Sequence, residues 1–391
     1  MSKWDSDDGS DNETSSACKR KKLSEGEVIK AKNDDRELSH LRTRVKEHNP
    51  LIHGCRSVYE YESLNYIDEG TYGMVFKGRC LKTNKIYALK RVKLGTSETS
   101  KNENKLGFPI TALREINILL SLSHPNIVAV KEMVVGSAMN QVFMVMDFSE
   151  NDIKSCIELS KPNLPFSTGE VKCLMQQLLF GVEYLHSKWY LHRDLKTSNL
   201  LYSNRGILTI CDFGMARKYG EPLEIYTFEC VTLWYRAPEV LLGSRKYSTS
   251  LDMWSVGCIF AELCLGSPLF CGSGEVDQIN LIFRILGAPS DEKWPGFSEL
   301  PNSKNINWRS SSTGRLRETM TANKFSSKLH LSSSGYDLLV KLLEMDPSKR
   351  ISASDALEHV WFTEDPKPTQ HHMMPLFRDK NEVPVPDDYP H

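Results

Sequence analysis

Side chains that could transfer a phosphoryl group lie close together in the middle of the chain. Asp194 and Asn199 belong to the segment 192–199, and Asp212 begins a second short segment, 212–214. Carboxylate and amide oxygens are hard ligands of the kind that Mg²⁺ prefers, which suits Asn199 and Asp212. A carboxylate such as Asp194 can orient a hydroxyl group and accept its proton. The spacing therefore favours magnesium-assisted phosphoryl transfer, with Asp194 as the base.

Residues that could hold the phosphates of a nucleotide lie before and after this base. Gly70 and Gly73 would let a hairpin lie close over a triphosphate, because neither has a Cβ atom. Lys90 can bind the α- and β-phosphates if a carboxylate holds it, and Glu115 is its natural partner. Lys196, two residues after the base, can neutralise charge on the transferring phosphate. Two such glycines alone usually mark an ordinary turn, so the interpretation depends on the order of all these residues.

The elements that must position these residues follow from the hydrophobic pattern. Short β-branched and aromatic runs separated by turn residues predict strands at 66–67, 74–78, 86–92 and 142–148. Pro109 opens a segment with apolar residues at every third or fourth position, which predicts a helix. Longer periodic segments predict helices at 170–187, 250–264, 276–286 and 335–344. The fold class is therefore α+β, with a small β-rich lobe followed by a large helical lobe.

This pattern divides the chain into four parts. Residues 1–53 are polar and charged, and we expect them to be disordered. The small lobe takes 54–149 and the large lobe takes 150–364. Residues 365–391 carry six prolines, which predicts an irregular tail.

The composition argues against several classes of protein. Hydrophobic residues are 40% and charged residues 25%, as in soluble globular proteins. The net charge of −1 gives no field that would favour nucleic acid or anionic membrane, so we expect neither as a direct partner. The apolar segment 253–270 contains Glu262, which favours a buried core helix over a membrane span. The ten cysteines form no CxxC pair, and the first residues lack an apolar signal segment, so we expect free thiols in a reducing compartment.

The basic run 19–22 (Lys-Arg-Lys-Lys) has two interpretations. It is either a nuclear import signal or a solvated basic segment, and the sequence favours neither. With the resemblance described next, we expect a nuclear protein, with the cytoplasm as a second location.

The motifs above resemble those of the eukaryotic protein kinases, over roughly residues 60–365. The segment 196–199 is typical of the serine/threonine class. Segments 109–115, 232–239 and 252–258 are similar to those of the cyclin-dependent kinases. The closest match is the PITSLRE subgroup, from which the helix after Pro109 differs by Ala112 in place of serine.

The resemblance implies a two-lobed fold that binds ATP and Mg²⁺. Phe148 and Ser149 would form the adenine-contacting hinge, and Val75, Ala88 and Leu201 would enclose the adenine ring. The implied nucleotide-binding residues are Ile67, Asp68, Glu69, Gly70, Thr71, Tyr72, Gly73, Met74, Val75, Ala88, Lys90, Phe148, Ser149 and Leu201. Asp68 departs from the glycine that often begins this turn, and it places a carboxylate near the phosphates.

The resemblance also implies regulation by a partner and by phosphate. A cyclin would dock on the helix after Pro109 and push Glu115 toward Lys90. Thr227 lies where the family is phosphorylated, and the arginines that would collect its phosphate are Arg114, Arg193 and Arg217. Thr71 and Tyr72 match inhibitory phosphorylation sites. The alternatives are a solvent-exposed Thr227 and an apolar helix face that packs only on the chain's own lobe.

Substrate preference and structural pairs are implied in the same way. Arg236 would turn the carbonyl of Val231 away, which favours protein substrates with proline after the acceptor Ser or Thr. Glu239 would pair with Arg350. Phe213 and His192 would stack, together with Leu119 and Val130, in a spine that aligns the lobes.

A second hypothesis from another class is a silent, cyclin-binding scaffold with a kinase fold. The residues that argue against it are those a scaffold has no physical need to keep: Lys90, Glu115, Asp194, Asn199 and Asp212. Substitution of Asp194 by Asn would distinguish the two hypotheses.

Overall fold

The computed structural model describes residues 54–70, 73–92, 110–137, 141–220, 232–303, 314–321 and 331–380. For 68–70, 73, 110 and 111 it describes only the backbone. The described residues fall into two compact units. The first combines parts of Met1–Phe108 with Val130–Asp147, and the second combines Pro109–Ala129 with parts of Phe148–His391.

The first unit is built on a six-stranded sheet in the order β1-β5-β6-β4-β3-β2. Its strands are β1 (Arg56–Ser57), β2 (Tyr61–Gly70), β3 (Gly73–Cys80), β4 (Ile86–Arg91), β5 (Val130–Val135) and β6 (Val142–Asp147). All neighbours pair antiparallel except β1 and β5, which are parallel. The four predicted strands are confirmed, although β2 is much longer than expected. β5 was not predicted, because Lys131 and Glu132 interrupt its apolar pattern.

One face of this sheet carries the core of the first unit. Leu89, Val134, Phe143 and Val145 are fully buried there, and Phe76 is nearly so. Successive side chains of a strand point to opposite faces. The burial of Leu89 therefore places its neighbours on β4, Ala88 and Lys90, on the other face.

The second unit is mainly helical. Its helices are α1 (Ile110–Ser121), α2 (Ile153–Ser160), α3 (Thr168–Ser187), α4 (Pro238–Leu241), α5 (Ser250–Leu265), α6 (Glu275–Leu286), α7 (Leu316–Thr321), α8 (Ser333–Leu342) and α9 (Ala353–Leu357). Its short strands are β7 (Asn151–Asp152), β8 (Tyr190–Leu191), β9 (Leu200–Tyr202), β10 (Leu208–Ile210) and β11 (Arg217–Lys218). They form one sheet in the order β10-β9-β7 and a two-stranded ladder of β8 and β11.

Local sequence signals explain where the helices begin and end. Ser167 and Glu170 form a capping box at the start of α3, in which each side chain accepts a hydrogen bond from the other residue's backbone N–H. Asp152 caps α2 by accepting from the backbone of Ser155 at 2.8 Å. α5 ends at Gly266, whose φ of 71° suits a residue without a Cβ atom.

The core of the second unit surrounds α5, which is buried from Ser250 to Cys264. The prediction that its apolar segment forms a core helix is therefore confirmed. No helix in the described part of the chain combines the length and the apolar character that a membrane span requires. The eight cysteines among the described residues are free thiols, as predicted.

Candidate active site

The proposed base lies in a loop between two short strands of the second unit. This catalytic loop, residues 192–199, connects β8 to β9 and ends in a single 3₁₀ turn, Thr197–Asn199. The segment 211–216 with Asp212 lies between β10 and β11. β9 and β10 pair with each other, and Leu200 lies opposite Ile210. The end of the first segment therefore lies beside the start of the second.

Asp194 is the centre of a hydrogen-bonded cluster. Its Oδ2 accepts from Nζ of Lys196 at 2.8 Å and from the amide nitrogen of Asn199 at 3.1 Å. The same amide nitrogen also donates to the backbone carbonyl of Asp194 at 2.8 Å. The loop therefore orients its own carboxylate through residues two and five positions away.

Thr232 completes this cluster and was not predicted. Its backbone N–H and its hydroxyl lie 3.1 and 3.0 Å from Oδ1 of Asp194. Nζ of Lys196 donates to the same hydroxyl at 3.0 Å. Thr232 lies 38 residues beyond the base and outside the loop, so no local spacing could have linked it to Asp194.

A buried carboxylate holds the backbone of the loop. Asp252, at the start of α5, accepts from the backbone N–H groups of His192 and Arg193, both at 2.9 Å. Nε2 of His186 lies 3.0 Å from Oδ2. Burial opposes ionisation of Asp252, but hydrogen bonds from His186 and Arg193 outweigh it and lower the pKa of Asp252. A charged group in the core thus fixes the position of the backbone directly before Asp194.

His192 links the loop to the segment that carries Asp212. The backbone N–H of Asp194 donates to Nδ1 of His192 at 3.3 Å, so Nε2 carries the proton and donates to the carbonyl of Cys211 at 3.0 Å. Cys211 in turn donates its N–H to the carbonyl of Asn199 at 3.0 Å. His192 and Phe213 are in contact as expected, but edge to face rather than stacked, with ring centroids 4.9 Å apart and an interplanar angle of 69°.

Two residues of these segments adopt a left-handed backbone conformation that side chains disfavour. The φ angles are 68° at Arg193 and 63° at Asp212. Such conformations cost about 1–3 kcal/mol each and persist where the surroundings enforce them. Their position in the two chemistry-bearing segments supports a functional role for both.

The predicted metal ligands offer a donor set that suits Mg²⁺. The amide nitrogen of Asn199 is engaged with Asp194, so the amide oxygen is the atom that can bind a cation. With the carboxylate of Asp212 the set is all oxygen, and Mg²⁺ commonly takes one or two protein ligands besides phosphate and water. Within the described ranges, no group of three or more His, Cys, Asp and Glu residues could hold a metal ion.

The first unit carries other predicted nucleotide residues, and three of them, Val75, Ala88 and Lys90, share one face of the sheet. Val75 lies directly opposite Lys90, and Ala88 lies opposite Met146 in the β3–β4 and β4–β6 ladders. Gly70 and Gly73 pair with each other where β2 meets β3, so the expected hairpin is confirmed. Asp68 and Glu69 pair with Val75 and Met74, and Ile67 lies on β2, whereas Thr71 and Tyr72 lie outside the described residues.

The remaining nucleotide residues lie in the second unit. Phe148 and Ser149 precede β7, and Leu201 lies on β9. Glu115 is buried on α1. The predicted pairing of Glu115 with Lys90, which belongs to the first unit, stays a prediction.

The arginines expected to collect a phosphate are placed as follows. Arg193 is buried, and it donates to the carbonyl of Met215 at 2.9 Å and to the hydroxyl of Tyr247 at 2.7 Å. Arg217 lies on β11 opposite Leu191, and Leu191 is two residues before Arg193. Arg114 lies on α1. Thr227 and Val231 lie outside the described residues, so their roles stay predictions.

The structural ion pair expected from the sequence is confirmed. Arg350 binds both carboxylate oxygens of Glu239, at 2.8 and 3.0 Å, and both side chains are buried. Arg350 also donates to the carbonyls of Ser250 and Glu344, each at 2.7 Å. This pair ties α4 to the first residue of α5, two residues before Asp252.

Comparison with known proteins agrees with this geometry. Residues 61–362 match the model of the protein kinase domain. Cyclin-dependent kinase G-2 of Oryza sativa subsp. indica is 54% identical over 333 residues, which are 85% of this chain and 46% of the relative. Cyclin-dependent kinase 11B of Homo sapiens is 49% identical over 362 residues, 92% of this chain and 43% of the relative. Its counterpart in Rattus norvegicus is 49% identical over 342 residues, 88% of this chain and 75% of the relative.

This chain belongs to the protein kinases, in the PITSLRE subgroup of the cyclin-dependent serine/threonine kinases. The α+β, two-lobed kinase fold predicted from the sequence is thereby confirmed. The chain spans about half the length of the first relatives that it matches, 46% of each of the Oryza proteins.

A second buried carboxylate in the kinase domain was also missed. Glu262 on α5 accepts from the hydroxyl of Tyr235 at 2.6 Å and from the hydroxyl of Thr197 at 3.1 Å. Burial raises the pKa of Glu262, and the two hydrogen bonds only partly offset this. Its isolation in an apolar run was a visible signal, because a charged residue in a core helix needs polar partners.

Proposed function

We propose that this chain transfers the γ-phosphate of ATP to serine and threonine residues of proteins. The observation that carries the proposal is the arrangement around Asp194, whose carboxylate is held by Lys196, Asn199 and Thr232. A base that is fixed in this way can accept a hydrogen bond from an incoming hydroxyl without first reorganising.

Each side chain of the cluster has a separate task. Asp194 orients the acceptor hydroxyl and takes its proton. Lys196 lies 2.8 Å from that carboxylate and balances negative charge that gathers during transfer. Asn199 and Asp212 would hold Mg²⁺ through their side-chain oxygens, and Mg²⁺ neutralises the phosphates when it is bound.

The residues proposed to hold the nucleotide follow from the family resemblance. Val75 and Ala88 on one sheet face, and Leu201 on β9, offer apolar contacts for adenine. Lys90 shares the face of Val75 and Ala88, which suits a role in binding the α- and β-phosphates. We also propose that Phe148 and Ser149 form the hinge that contacts adenine. The hairpin with Gly70 and Gly73 would lie over the phosphates.

A cyclin is the proposed partner, and α1 is its proposed docking site. Leu113 and Leu120, seven residues apart on α1, expose 49% and 62% of their surface. Ile118 and Leu119 are buried instead. Two exposed leucines two helical turns apart on one face are suited to a protein partner. The relatives named above are cyclin-dependent kinases, which supports the same partner.

Further regulation is proposed from the family resemblance. Phosphorylation of Thr227 would activate the kinase, with Arg114, Arg193 and Arg217 as phosphate ligands. Phosphorylation of Thr71 or Tyr72 would weaken ATP binding by repulsion. We also propose a nuclear location and roles in the cell cycle or in transcription and RNA processing, supported by the basic run 19–22 and the resemblance.

The proposed substrates carry proline after the acceptor residue. Arg236 supports this preference through the resemblance described above; in the structure it also binds Glu275. The test is transfer of the γ-phosphate to matched Ser-Pro and Ser-Ala peptides, with the chain alone and with candidate cyclins. We expect transfer only with a cyclin and a clear preference for Ser-Pro. Equal rates on the two peptides would refute the proline preference.

The scaffold hypothesis is tested in cells. A chain with Asp194→Asn keeps the proposed cyclin-docking helix and loses the base. If the cellular function of the chain survives this change, transfer is not what the cell requires of it, and the scaffold hypothesis replaces the kinase.

A further inference from the structure

The C-terminal residues of the described chain pack along the second unit. We call residues 366–380 the C-terminal strap. Apart from one 3₁₀ turn, His371–Met373, the strap has no regular structure. The ring of Phe377 nevertheless lies edge-on to the rings of Phe166 and Tyr202, with centroids 5.6 Å away in each case. Such aromatic pairs stabilise an interface beyond the area they bury.

Polar contacts fix the strap on the turn between β9 and β10. Asn204 donates its amide to the carbonyl of Phe377 and accepts from the N–H of Phe377, both at 3.0 Å. The hydroxyl of Tyr202 donates to the carbonyl of Pro375 at 2.6 Å. A Cβ atom at Gly206, where φ is 73°, would overlap the carbonyl oxygen of His371. The close approach of the two backbones therefore depends on this glycine.

The far end of the strap reaches β7. The amide of Asn151, which exposes only 1% of its surface, donates to the carbonyl of Arg378 at 3.1 Å. Nζ of Lys380 binds Oδ2 of Asp152 at 2.5 Å. Only Glu150 separates these two strand residues from Phe148 and Ser149.

The strap thus connects β9, which carries Leu201, to β7, which follows the proposed hinge residues Phe148 and Ser149 in the chain. β7 and β9 pair over only two positions, Asn151 with Tyr202 and Asp152 with Leu201. The strap binds Tyr202 on one strand and Asn151 and Asp152 on the other. It spans the short ladder from outside and limits how far the strands can separate.

We propose that the C-terminal strap positions the hinge and Leu201 for nucleotide binding, and that Phe377 and Lys380 are its positioning residues. The inference rests on the proposed function, because it assigns ATP to these residues. Loosening the strap would let β7 shift against β9, and the contacts of adenine with Leu201 and the hinge would weaken.

The experiment measures the affinity of the full chain for a fluorescent ATP analogue with Mg²⁺, which requires neither cyclin nor substrate. The variants are Phe377→Ala and Lys380→Ala. Leu376→Ala is the control for the first, since Leu376 adjoins Phe377 but exposes 74% of its surface. Lys154→Ala is the control for the second, since Lys154 is exposed on α2 and forms an exposed ion pair with Glu158.

We expect Phe377→Ala to raise the Kd of the analogue about three- to tenfold and Lys380→Ala about twofold, the range found for residues that couple to a site without touching its ligand. Both controls should leave the Kd unchanged. Hydrogen exchange should rise at the amides of β7 and β9 in the two strap variants and stay constant in the controls.

The outcomes separate the strap from the proposed function. If folded Phe377→Ala and Lys380→Ala bind the analogue as the natural chain does, the strap only covers apolar surface and the inference is wrong. If the natural chain binds no nucleotide, both the inference and the proposed function fail. If Phe377→Ala does not fold, Phe377→Leu replaces it, because leucine fills most of the space without the aromatic ring. The Kd of the analogue for Phe377→Leu and for Lys380→Ala then decides in the same way.

Discussion

The catalytic loop and the C-terminal strap are both irregular segments of the second unit, but they are held in different ways. The loop is held by charge, with buried Asp252 beneath its backbone and Lys196 beside Asp194. The strap is held mainly by the ring of Phe377 and by neutral hydrogen bonds. An ion pair with the unit, Lys380 with Asp152, lies at its end.

The difference follows from what each segment has to do. A base must stay within tenths of an ångström of its hydroxyl, and charge-assisted hydrogen bonds are the shorter and stronger kind. A strap needs only to keep two strands together, and apolar contact is sufficient because it has little directional preference. We therefore expect substitutions of buried charge to have large effects, and those in the strap to have small ones.

The largest effect is expected where charge is buried and paired. Arg350→Met would leave the carboxylate of Glu239 buried without its guanidinium partner. We expect the free energy of unfolding to fall by about 3–5 kcal/mol. Chemical denaturation measures it. Lys154→Ala removes an exposed pair with Glu158 and should change little. Equal effects of the two substitutions would show that burial does not matter here.

The next largest effect is expected at the support of the loop. Asp252→Ala removes the acceptor of two backbone N–H groups. Because Asp194 follows them directly, we expect the rate of phosphoryl transfer to fall about a hundredfold or more. The measurement is the transfer rate of the folded variant, with circular dichroism as the check on folding. A folded Asp252→Ala chain with the natural rate would show that the loop keeps its geometry without this carboxylate.

A smaller effect is expected from Glu262, the other buried carboxylate below the loop. Burial raises the pKa of Glu262 in the folded chain above its unfolded value. Its protonated form is thus favoured on folding, and this stabilisation is present below the unfolded pKa and lost as the pH rises through the folded pKa. Compared with Glu262→Gln, the natural chain should lose stability as the pH rises above 4.5, the ordinary pKa of a glutamate. Urea denaturation at each pH measures the two free energies of unfolding. If their difference between the natural chain and Glu262→Gln is the same at every pH, the raised pKa is contradicted.

The smallest effect is expected in the strap. Tyr202→Phe removes the single hydrogen bond to Pro375 and keeps the ring contact with Phe377. We expect a loss of about 1 kcal/mol in the free energy of unfolding. If this loss equals that of Arg350→Met, the strap is no less demanding than the buried charges, and the comparison fails.

The same two segments show what can be predicted from sequence. The side chains that bind Asp194 from within the loop are two and five residues away, so a short motif contains them. The supports Thr232 and Asp252 were missed as functional residues, since they lie 38 and about 60 residues further on. Their effect arises only when the chain folds back on itself.

The strap could be predicted only in part. The prolines of the tail predict an irregular segment, and residues 366–380 contain no regular element except one 3₁₀ turn, His371–Met373. Its docking depends on Phe377 meeting Asn204, which is 173 residues away. A single phenylalanine in a polar tail has no periodicity that would reveal a partner. The members of the Glu239–Arg350 pair are also far apart, 111 residues, yet the pair was predicted, because the family resemblance supplied both members.

The central claim is that Asp194 acts as the base of a working kinase. The direct test compares the natural chain with Asp194→Asn, each with the cyclin that supports activity, and measures γ-phosphate transfer and the affinity for ATP with Mg²⁺. We predict that transfer falls by about a thousandfold, within the range for loss of a general base, while the Kd for ATP changes less than about twofold. Transfer by Asp194→Asn at the natural rate would contradict the account.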